Sequence, residues 1–222
     1  MKIAILSDAH GNMVYYSKVI ECVMKYKTDL IIYLGDAFGY MFDGEKIIKD
    51  LKERNAIILM GNHEAMLVGK LPIDSKKNEI YKLNEQRNLL SEVTYLEIKQ
   101  LKSSYRETFE GKKCLFTHGS PDDYLNGYLY ETDEFVFNNK EHFDYIFMGH
   151  THRKYIKNVG DTCYINVGSC GLPRDKGLEP SFCLYDTQDY PKIITIKVDE
   201  AIIENVYFSN IEQKVKDVLK RR

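Results

Sequence analysis

The chain of 222 residues lacks several features that would assign it to a common functional class. It has five cysteines and no C-x-x-C pair, so the usual zinc-finger spacing is absent and an odd cysteine count argues against a disulfide framework. No run of about 18 apolar residues is present, so no membrane-spanning helix is predicted. Met1 leads directly into an apolar segment without a basic region, and we therefore expect a cytoplasmic protein without a signal peptide.

An excess of positive charge is also missing. The chain carries 31 basic and 33 acidic residues, a net charge of -2, and therefore gives no strong signal for nucleic-acid binding. Hydrophobic and charged contents of 44% and 29% are ordinary for a globular protein. No internal repeat or Pro/Gly/Ser-rich linker divides the sequence, so we expect one domain over residues 1–222.

The first 60 residues alternate between strand and helix patterns. Strands are predicted over 2–7, 30–34 and 56–60, and helices over 13–26 and 44–54. Strands joined by helices predict a parallel sheet. Farther along, helix is predicted over 75–101 in two pieces broken near Ser91, over 132–142 and over 211–219. Strands are predicted over 105–109, 113–117, 145–148, 153–158, 162–167, 181–187 and 191–198, which gives two sheets between helices.

Five short polar motifs follow predicted strands. They are Asp8-x-His10, Gly35-Asp36, Gly61-Asn62-His63-Glu64, His118-Gly119 and Gly149-His150-Thr151-His152. Because sites in α/β sheets form outside the carboxyl ends of the strands, these motifs are expected to converge. Five of the six histidines lie in them.

This set of side chains suits hard divalent metals, since it offers carboxylate, imidazole and amide groups but no thiolate. Two ions about 3.5–4 Å apart, bridged by one Asp, can clamp a phosphate and activate a water. Each motif alone has a structural alternative: Gly35-Asp36 as a turn, Asn62 as a helix N-cap, or His118 as a core histidine. Together they indicate a dinuclear metal-dependent phosphoesterase.

The ordered set resembles the calcineurin-like metallophosphoesterase superfamily over residues 2 to about 187. The resemblance implies an α/β (α+β) fold, a four-layer αββα sandwich of two mixed β-sheets flanked by helices, with a helical insertion at about 75–101. It also implies two divalent metal ions, with manganese as the first choice and iron, nickel, cobalt or zinc as alternatives.

The resemblance assigns a role to each motif residue. The first metal is expected at Asp8, His10 and His152, the second at Asn62, His118 and His150, with Asp36 bridging both. His63 is the expected general acid, and Glu64 is expected to orient it through a hydrogen bond to the ring. Asn62 is also expected to contact substrate.

A finer resemblance concerns residues 166–175. This segment is similar to the N-P-G-S-x-G-x-P-R-D segment of small prokaryotic phosphodiesterase-like members, including diadenosine tetraphosphatase-like ones, with Val167 in place of the usual proline. Arg174 is either a contact for substrate phosphate or part of a structural salt bridge. The expected substrate is a small phosphodiester or nucleotide-type phosphoester.

The sequence leaves two alternative functions open. A serine/threonine protein phosphatase is suggested by Glu64, because that branch shares Glu at this position. A protein-interaction scaffold on the same fold would typically have lost metal ligands, whereas this chain keeps all of them.

Aromatic residues follow two of the motifs. The aromatic residues Phe38, Tyr40 and Phe42, together with Met41, follow the second motif. Tyr124, Tyr128 and Tyr130 follow the fourth motif. They either stack a nucleobase or pack their own loops. Nearby acidic residues argue against a long polyanionic substrate: Asp122, Asp123, Glu131, Asp133 and Glu134.

Overall fold

The computed structural model describes residues 1–137, 141–204, 208 and 211–222. The strands are β1 (Lys2–Leu6), β2 (Leu30–Tyr33), β3 (Ile57–Ile58), β4 (Ser104–Phe109), β5 (Lys112–Thr117), β6 (Tyr145–Met148), β7 (Tyr155–Val159), β8 (Thr162–Asn166), β9 (Ser181–Asp186) and β10 (Lys192–Thr195). The α-helices are α1 (Met13–Lys25), α2 (Gly44–Glu53), α3 (Asn62–Leu67), α4 (Ser75–Tyr81), α5 (Leu83–Leu89), α6 (Glu92–Gln100) and α7 (Gln213–Leu219), and a 3₁₀-helix covers Glu200–Glu204.

The first sheet has the strand order β10-β9-β1-β2-β3. Its β1, β2 and β3 are parallel, as the alternation of strand and helix predicts, while β9 and β10 are antiparallel additions. Ala4 and Leu6 pack with the buried side of α1 and α2, whereas Ile3 and Ile5 face the second sheet. This alternation of a fully buried strand places one apolar set on each face.

The second sheet has the strand order β4-β5-β6-β8-β7 and also mixes parallel and antiparallel pairs. Its inner face packs on the first sheet. The shared core contains Ile3, Ile5, Ile32 and Leu34 from the first sheet and Cys114, Phe116, Phe147, Cys163 and Ile165 from the second. The predicted sandwich of two mixed sheets with flanking helices is therefore confirmed.

The outer face of the second sheet is covered differently from the prediction. The helix predicted over 132–142 is wrong for 132–137 and 141–142, which are irregular, while 138–140 lie outside the described residues. Phe135 and Phe137 both contact Tyr164, with ring centroids 4.9 Å and 5.5 Å away. Side chains two positions apart share one face in extended backbone but not in a helix, which explains the difference.

The segment 75–101 forms three helices rather than two. Lys82 has a left-handed backbone with φ of 56°, which ends α4 and separates it from α5. Ser91 is the N-cap of α6, as predicted, and accepts a hydrogen bond from Thr94 N.

All five cysteines are free thiols. None of the helices in the described ranges has the length and apolarity needed to cross a bilayer.

Candidate metal centre

The five motifs meet at one edge of the two sheets. Asp8 and His10 follow β1, Asp36 follows β2, and Asn62 and His63 begin α3 directly after β3. From the second sheet, His118 follows β5, and His150 and His152 follow β6. Every one of these side chains is buried. The structure therefore brings together all seven residues that the sequence suggested as metal ligands.

Many of these residues have an unusual backbone. Five non-glycine candidates occupy the left-handed region with φ between 49° and 63°: Asp8, His10, Asp36, His150 and His152. Such a conformation costs a non-glycine residue about 1–2 kcal/mol. Strain of this kind concentrates at functional sites, where the surrounding structure holds it. This backbone conformation lowers the stability of the fold, and it directs the five side chains toward a common centre.

The first cluster consists of Asp8, His10 and His152, with ligand atoms within 4.8 Å of one another. His10 Nδ1 is 2.9 Å from Phe38 O, and His152 Nδ1 is 2.6 Å from Leu172 O. Each Nδ1 therefore carries the proton and leaves an Nε2 lone pair directed inward. The two Nε2 atoms lie 3.0 Å apart, and Asp8 Oδ1 lies 3.2 Å from His152 Nε2 without a hydrogen bond. Two facing lone pairs beside a carboxylate fit a cation.

The second cluster consists of Asp36, His118 and His150. His118 Nε2 lies 3.0 Å from both Asn62 Oδ1 and His150 Nδ1, and 3.4 Å from Asp36 Oδ2. Asp36 Oδ2 is also 3.7 Å from His10 Nε2 in the first cluster. This carboxylate thus lies between the two groups, which fits the expected bridging position.

The electrostatics of the second cluster are uneven. Burial acts to lower the pKa of His118, but attraction to Asp36 and Asp8 outweighs it and raises that pKa to about 9. Burial and the neighbouring His118 lower the pKa of His150 to about 3. For Asp36, attraction to His118 and His63 overcomes burial and holds the carboxyl pKa well below its ordinary value. Asp36 is therefore ionised at neutral pH, as a metal ligand must be.

His63 is not in the predicted ligand set, but it lies beside both clusters and forms a further group of possible ligands with His10 and Asp36, whose ligand atoms lie within 4.8 Å of one another. Its Nε2 is 3.9 Å from Asp36 Oδ2, and its backbone N–H donates to Asp36 Oδ1 at 2.9 Å. Its Nδ1 faces Gly39, where a Cβ would come within 2.0 Å of that nitrogen, so only glycine fits there. The Nε2 atom is therefore the one that faces the centre. Burial lowers the pKa of His63 to about 4.

The predicted hydrogen bond from Glu64 to His63 is wrong. The Glu64 carboxylate instead accepts backbone N–H groups from Asp36 and Ala37, each at 2.7 Å, and from Gly61 at 2.8 Å. Burial and the Asp36 charge raise the pKa of Glu64 to about 7. Glu64 therefore ties the loop after β2 to the start of α3 and acts on the backbone that carries Asp36.

Arg174 lies at the edge of the first cluster. Its backbone N–H donates to His152 O at 3.0 Å, and its Nη2 donates to the Tyr40 hydroxyl at 3.0 Å. In the described parts of the chain no carboxylate pairs with this guanidinium, so the salt bridge considered for it is not found. Tyr40 has a left-handed backbone, with φ of 64°, and its ring stacks on His63 at 5.5 Å.

The segment 166–175 has a bracing role that sequence reasoning missed. The Asn166 amide donates to Gly149 O at 2.7 Å, and the Ser169 hydroxyl donates to Asp8 O at 2.7 Å. Val167 N–H donates to Met148 O at 2.8 Å, a bond that the proline usual at this position could not make. The segment thus fixes the loops that carry two ligand motifs.

The aromatic residues divide into two groups. Phe38 and Met41 are core residues, and Tyr124 is bound by Arg106 on a separate surface. Tyr128 instead borders a cavity of about 340 Å³ beside the second cluster. Lys77 and Tyr81, which no motif of the sequence singles out, line the same cavity from α4.

The family model for the calcineurin-like phosphoesterase superfamily domain matches residues 1–190. An uncharacterized protein of Methanocaldococcus jannaschii is 26% identical over 238 residues, covering 99% of this chain and 96% of its own length. A phosphodiesterase of the same archaeon is 26% identical over 172 residues, covering 77% of this chain and 84% of its own length.

A solved structure supports the same fold. The crystal structure of a hypothetical protein from Pyrococcus horikoshii superposes with a TM-score of 0.83, at 16% identity, and covers 99% of this chain and 98% of that one. Likeness at this level of identity concerns the fold alone.

Proposed function

The chain belongs to the calcineurin-like phosphoesterase superfamily and is a phosphoester-hydrolysing enzyme, and we propose that it uses two divalent metal ions to hydrolyse a small phosphodiester or nucleotide-type phosphoester. The observation that carries the proposal is the position of Asp36 between two buried His/Asp clusters. A carboxylate so placed can serve two cations at once.

In this proposal, Asp8, His10 and His152 hold one ion, and Asn62, His118 and His150 hold the other, with Asp36 shared. The donor set of carboxylate, imidazole and amide oxygen accepts manganese, iron, nickel, cobalt or zinc, and the family resemblance makes manganese the first choice. Bound divalent ions would supply Lewis acidity toward the phosphate and lower the pKa of a water toward 7, as two-metal hydrolases require (about 7 against 15.7 in bulk).

His63 is proposed as the general acid. At pH 7 its imidazole is neutral, because burial holds its pKa at about 4. A phosphate anion close to Nε2 would raise that pKa, so the ring would gain a proton when substrate is bound. The proton on Nε2 would then pass to the departing ester oxygen. The neighbouring Tyr40 and Tyr81 rings keep the imidazole in place at centroid distances of 5.5 Å and 4.4 Å.

Arg174 and Asn62 are the proposed substrate contacts. The Arg174 guanidinium has no carboxylate partner among the described residues, and its unused donors suit a phosphate oxygen. The Asn62 side chain is one of the second cluster's ligand candidates and also lines the neighbouring cavity. Both residues would therefore neutralise or orient the phosphate next to the ions.

The protein-phosphatase alternative loses its one supporting feature. Glu64 suggested that branch, but its carboxylate is fully engaged by backbone N–H groups of Asp36, Ala37 and Gly61. A structural requirement thus explains Glu at this position. The matching phosphodiesterase of Methanocaldococcus jannaschii supports diester hydrolysis instead.

A substrate comparison tests the proposed class. Purified protein, stripped of metal and reloaded with each candidate metal in turn, is assayed with an aryl phosphodiester, an aryl phosphomonoester and a phosphopeptide at one pH. We expect the diester to equal or exceed the monoester in kcat/KM, with the phosphopeptide far behind. A phosphopeptide leading by tenfold, about 1.4 kcal/mol of transition-state stabilisation, would overturn the class. Full activity without metal would overturn the metal mechanism.

A further inference from the structure

A cavity of about 340 Å³ opens directly beside the second cluster. Its floor includes Asn62 and His150, and its sides include Tyr81 and Lys77 from α4 and Tyr128 from the loop after β5. Small-molecule sites have volumes of about 300–1,000 Å³. This cavity lies near the lower end of that range, so it fits one substituent of a small substrate rather than a folded protein. Among the residues that the structure describes, no carboxylate lines the cavity, so these residues do not repel an anionic substrate.

Tyr128 forms one aromatic wall. Half of its surface is exposed (50%), yet its ring lies only 4.0 Å, centroid to centroid, from the buried His150 ring. Tyr130 stacks behind it at 6.0 Å with an interplanar angle of 11°. Tyr128 thus lines the cavity with a large aromatic side chain that is half exposed, and this side chain can contact a ligand that enters there.

Tyr81 forms the wall contributed by the helical insertion. Its ring lies 4.4 Å from the His63 ring and 5.1 Å from the Tyr40 ring. Its backbone carbonyl accepts the Tyr40 N–H at 2.8 Å, which fixes the end of α4 to the loop after β2. The insertion therefore has a firm connection to the centre, and its tyrosine is held in position.

We propose that this cavity is the subsite for one ester substituent of the substrate and that Tyr128 and Tyr81 select a flat aromatic group, an aryl ring or a nucleobase. The proposal rests on the proposed function, because the phosphate must lie at the two clusters for its substituent to reach the cavity. Stacking on an aromatic ring depends on planarity as well as apolar area, so a flat ring is expected to bind more tightly than a saturated ring of similar size. Lys77 at the rim offers an ammonium to polar atoms of the same group.

Binding of simple phosphonates tests the subsite without turnover. Phenylphosphonate, cyclohexylphosphonate and methylphosphonate share one anionic head and differ only in a single substituent. Their dissociation constants are measured by calorimetry on the metal-loaded protein and on Tyr128→Leu, Tyr128→Phe and Tyr124→Leu. Tyr124→Leu is the matched control, because Tyr124 belongs to the same loop but is bound by Arg106 away from the cavity.

We expect phenylphosphonate to bind about threefold to tenfold more tightly than cyclohexylphosphonate, and more tightly still than methylphosphonate. The ratio of the cyclohexylphosphonate to the phenylphosphonate dissociation constant should fall toward one in Tyr128→Leu. It should stay the same in Tyr128→Phe and Tyr124→Leu. Equal binding of the phenyl and cyclohexyl compounds, or a preference unchanged in Tyr128→Leu, would overturn the subsite. If diesters are hydrolysed in that case, the proposed function stands alone. Absence of both phosphonate binding and diester hydrolysis would overturn the two proposals together.

Discussion

Replacing Glu64 by Gln probes a buried carboxylate whose role the structure redefines. Oε2 accepts from Asp36 N at 2.7 Å and Gly61 N at 2.8 Å, and Oε1 accepts from Ala37 N at 2.7 Å and Phe38 N at 3.3 Å. Gln keeps only one oxygen. In either orientation of the amide, two of the four backbone donors would face an NH₂ group instead of an acceptor.

The loss can be sized from these contacts. A hydrogen bond to a charged group contributes about 1.5–3 kcal/mol, so two lost acceptors cost about 3–6 kcal/mol. Gln also removes a buried charge, and the raised pKa of Glu64, about 7 against 4.5, shows that this charge lowers the stability at pH 8 by about 3 kcal/mol. The net loss is therefore up to about 3 kcal/mol, and each 1 kcal/mol of net loss lowers the Tm by about 2–4 °C for a domain of this size. Because the affected loop carries Asp36, metal binding should weaken as well.

The assay is urea unfolding of metal-free protein at pH 8, above the Glu64 pKa of about 7, so that the carboxylate of the parent chain is ionised. Glu53→Gln, an exposed change on α2, is the control and should stay within about 0.5 kcal/mol of the parent. A Glu64→Gln variant more stable than the parent chain would refute the backbone-tethering role. Loss of activity with unchanged stability would instead indicate that Glu64 acts on catalysis through His63.

Three further outcomes follow from the site. His63→Ala should keep its metal and lose about 10²–10⁴ in kcat on alkyl diesters, with a smaller loss on p-nitrophenyl diesters; equal losses would indicate a positioning role. Tyr40→Phe keeps the ring on His63 but removes the hydroxyl that accepts from Arg174. It should raise KM about twofold to tenfold with little change in kcat, and an unchanged KM would show that this bond does not position the guanidinium. In metal-free protein the His118 pKa of about 9 means that metal must displace a proton below pH 9. Apparent metal affinity, measured by calorimetry, should therefore rise about tenfold from pH 7 to pH 8, and a pH-independent affinity would contradict that protonation state.

The candidate ligand set could be predicted from the sequence because sheet geometry brings its residues together. Each motif follows an apolar run, and the carboxyl ends of adjacent parallel strands share one edge. That rule requires no knowledge of side-chain contacts, and it brought Asp8, Asp36 and His118 together from distant parts of the chain. The two-sheet architecture followed from the same strand pattern.

Other features depended on long-range contacts that no local pattern contains. The positive φ of Asp36 and His150 is imposed by the surrounding structure, since the residue types themselves favour ordinary backbone. Glu64 is three residues from Gly61, but its other acceptor contacts lie more than 25 positions away. The irregular segment around Phe135 was predicted as helix because its pairing with Tyr164 is visible only after the sheet has formed.

The metal content of the purified chain, together with that of Asp36→Asn, tests the two-metal account most directly. Asn keeps an oxygen that can accept from His63 N–H but removes the charge between the clusters, so the fold is preserved better than with Ala. Elemental analysis after metal loading should give two divalent ions per active parent chain and fewer than two in the variant, with loss of diester hydrolysis. An active parent chain holding one ion or none, or a variant that keeps two ions and full activity, would contradict the account.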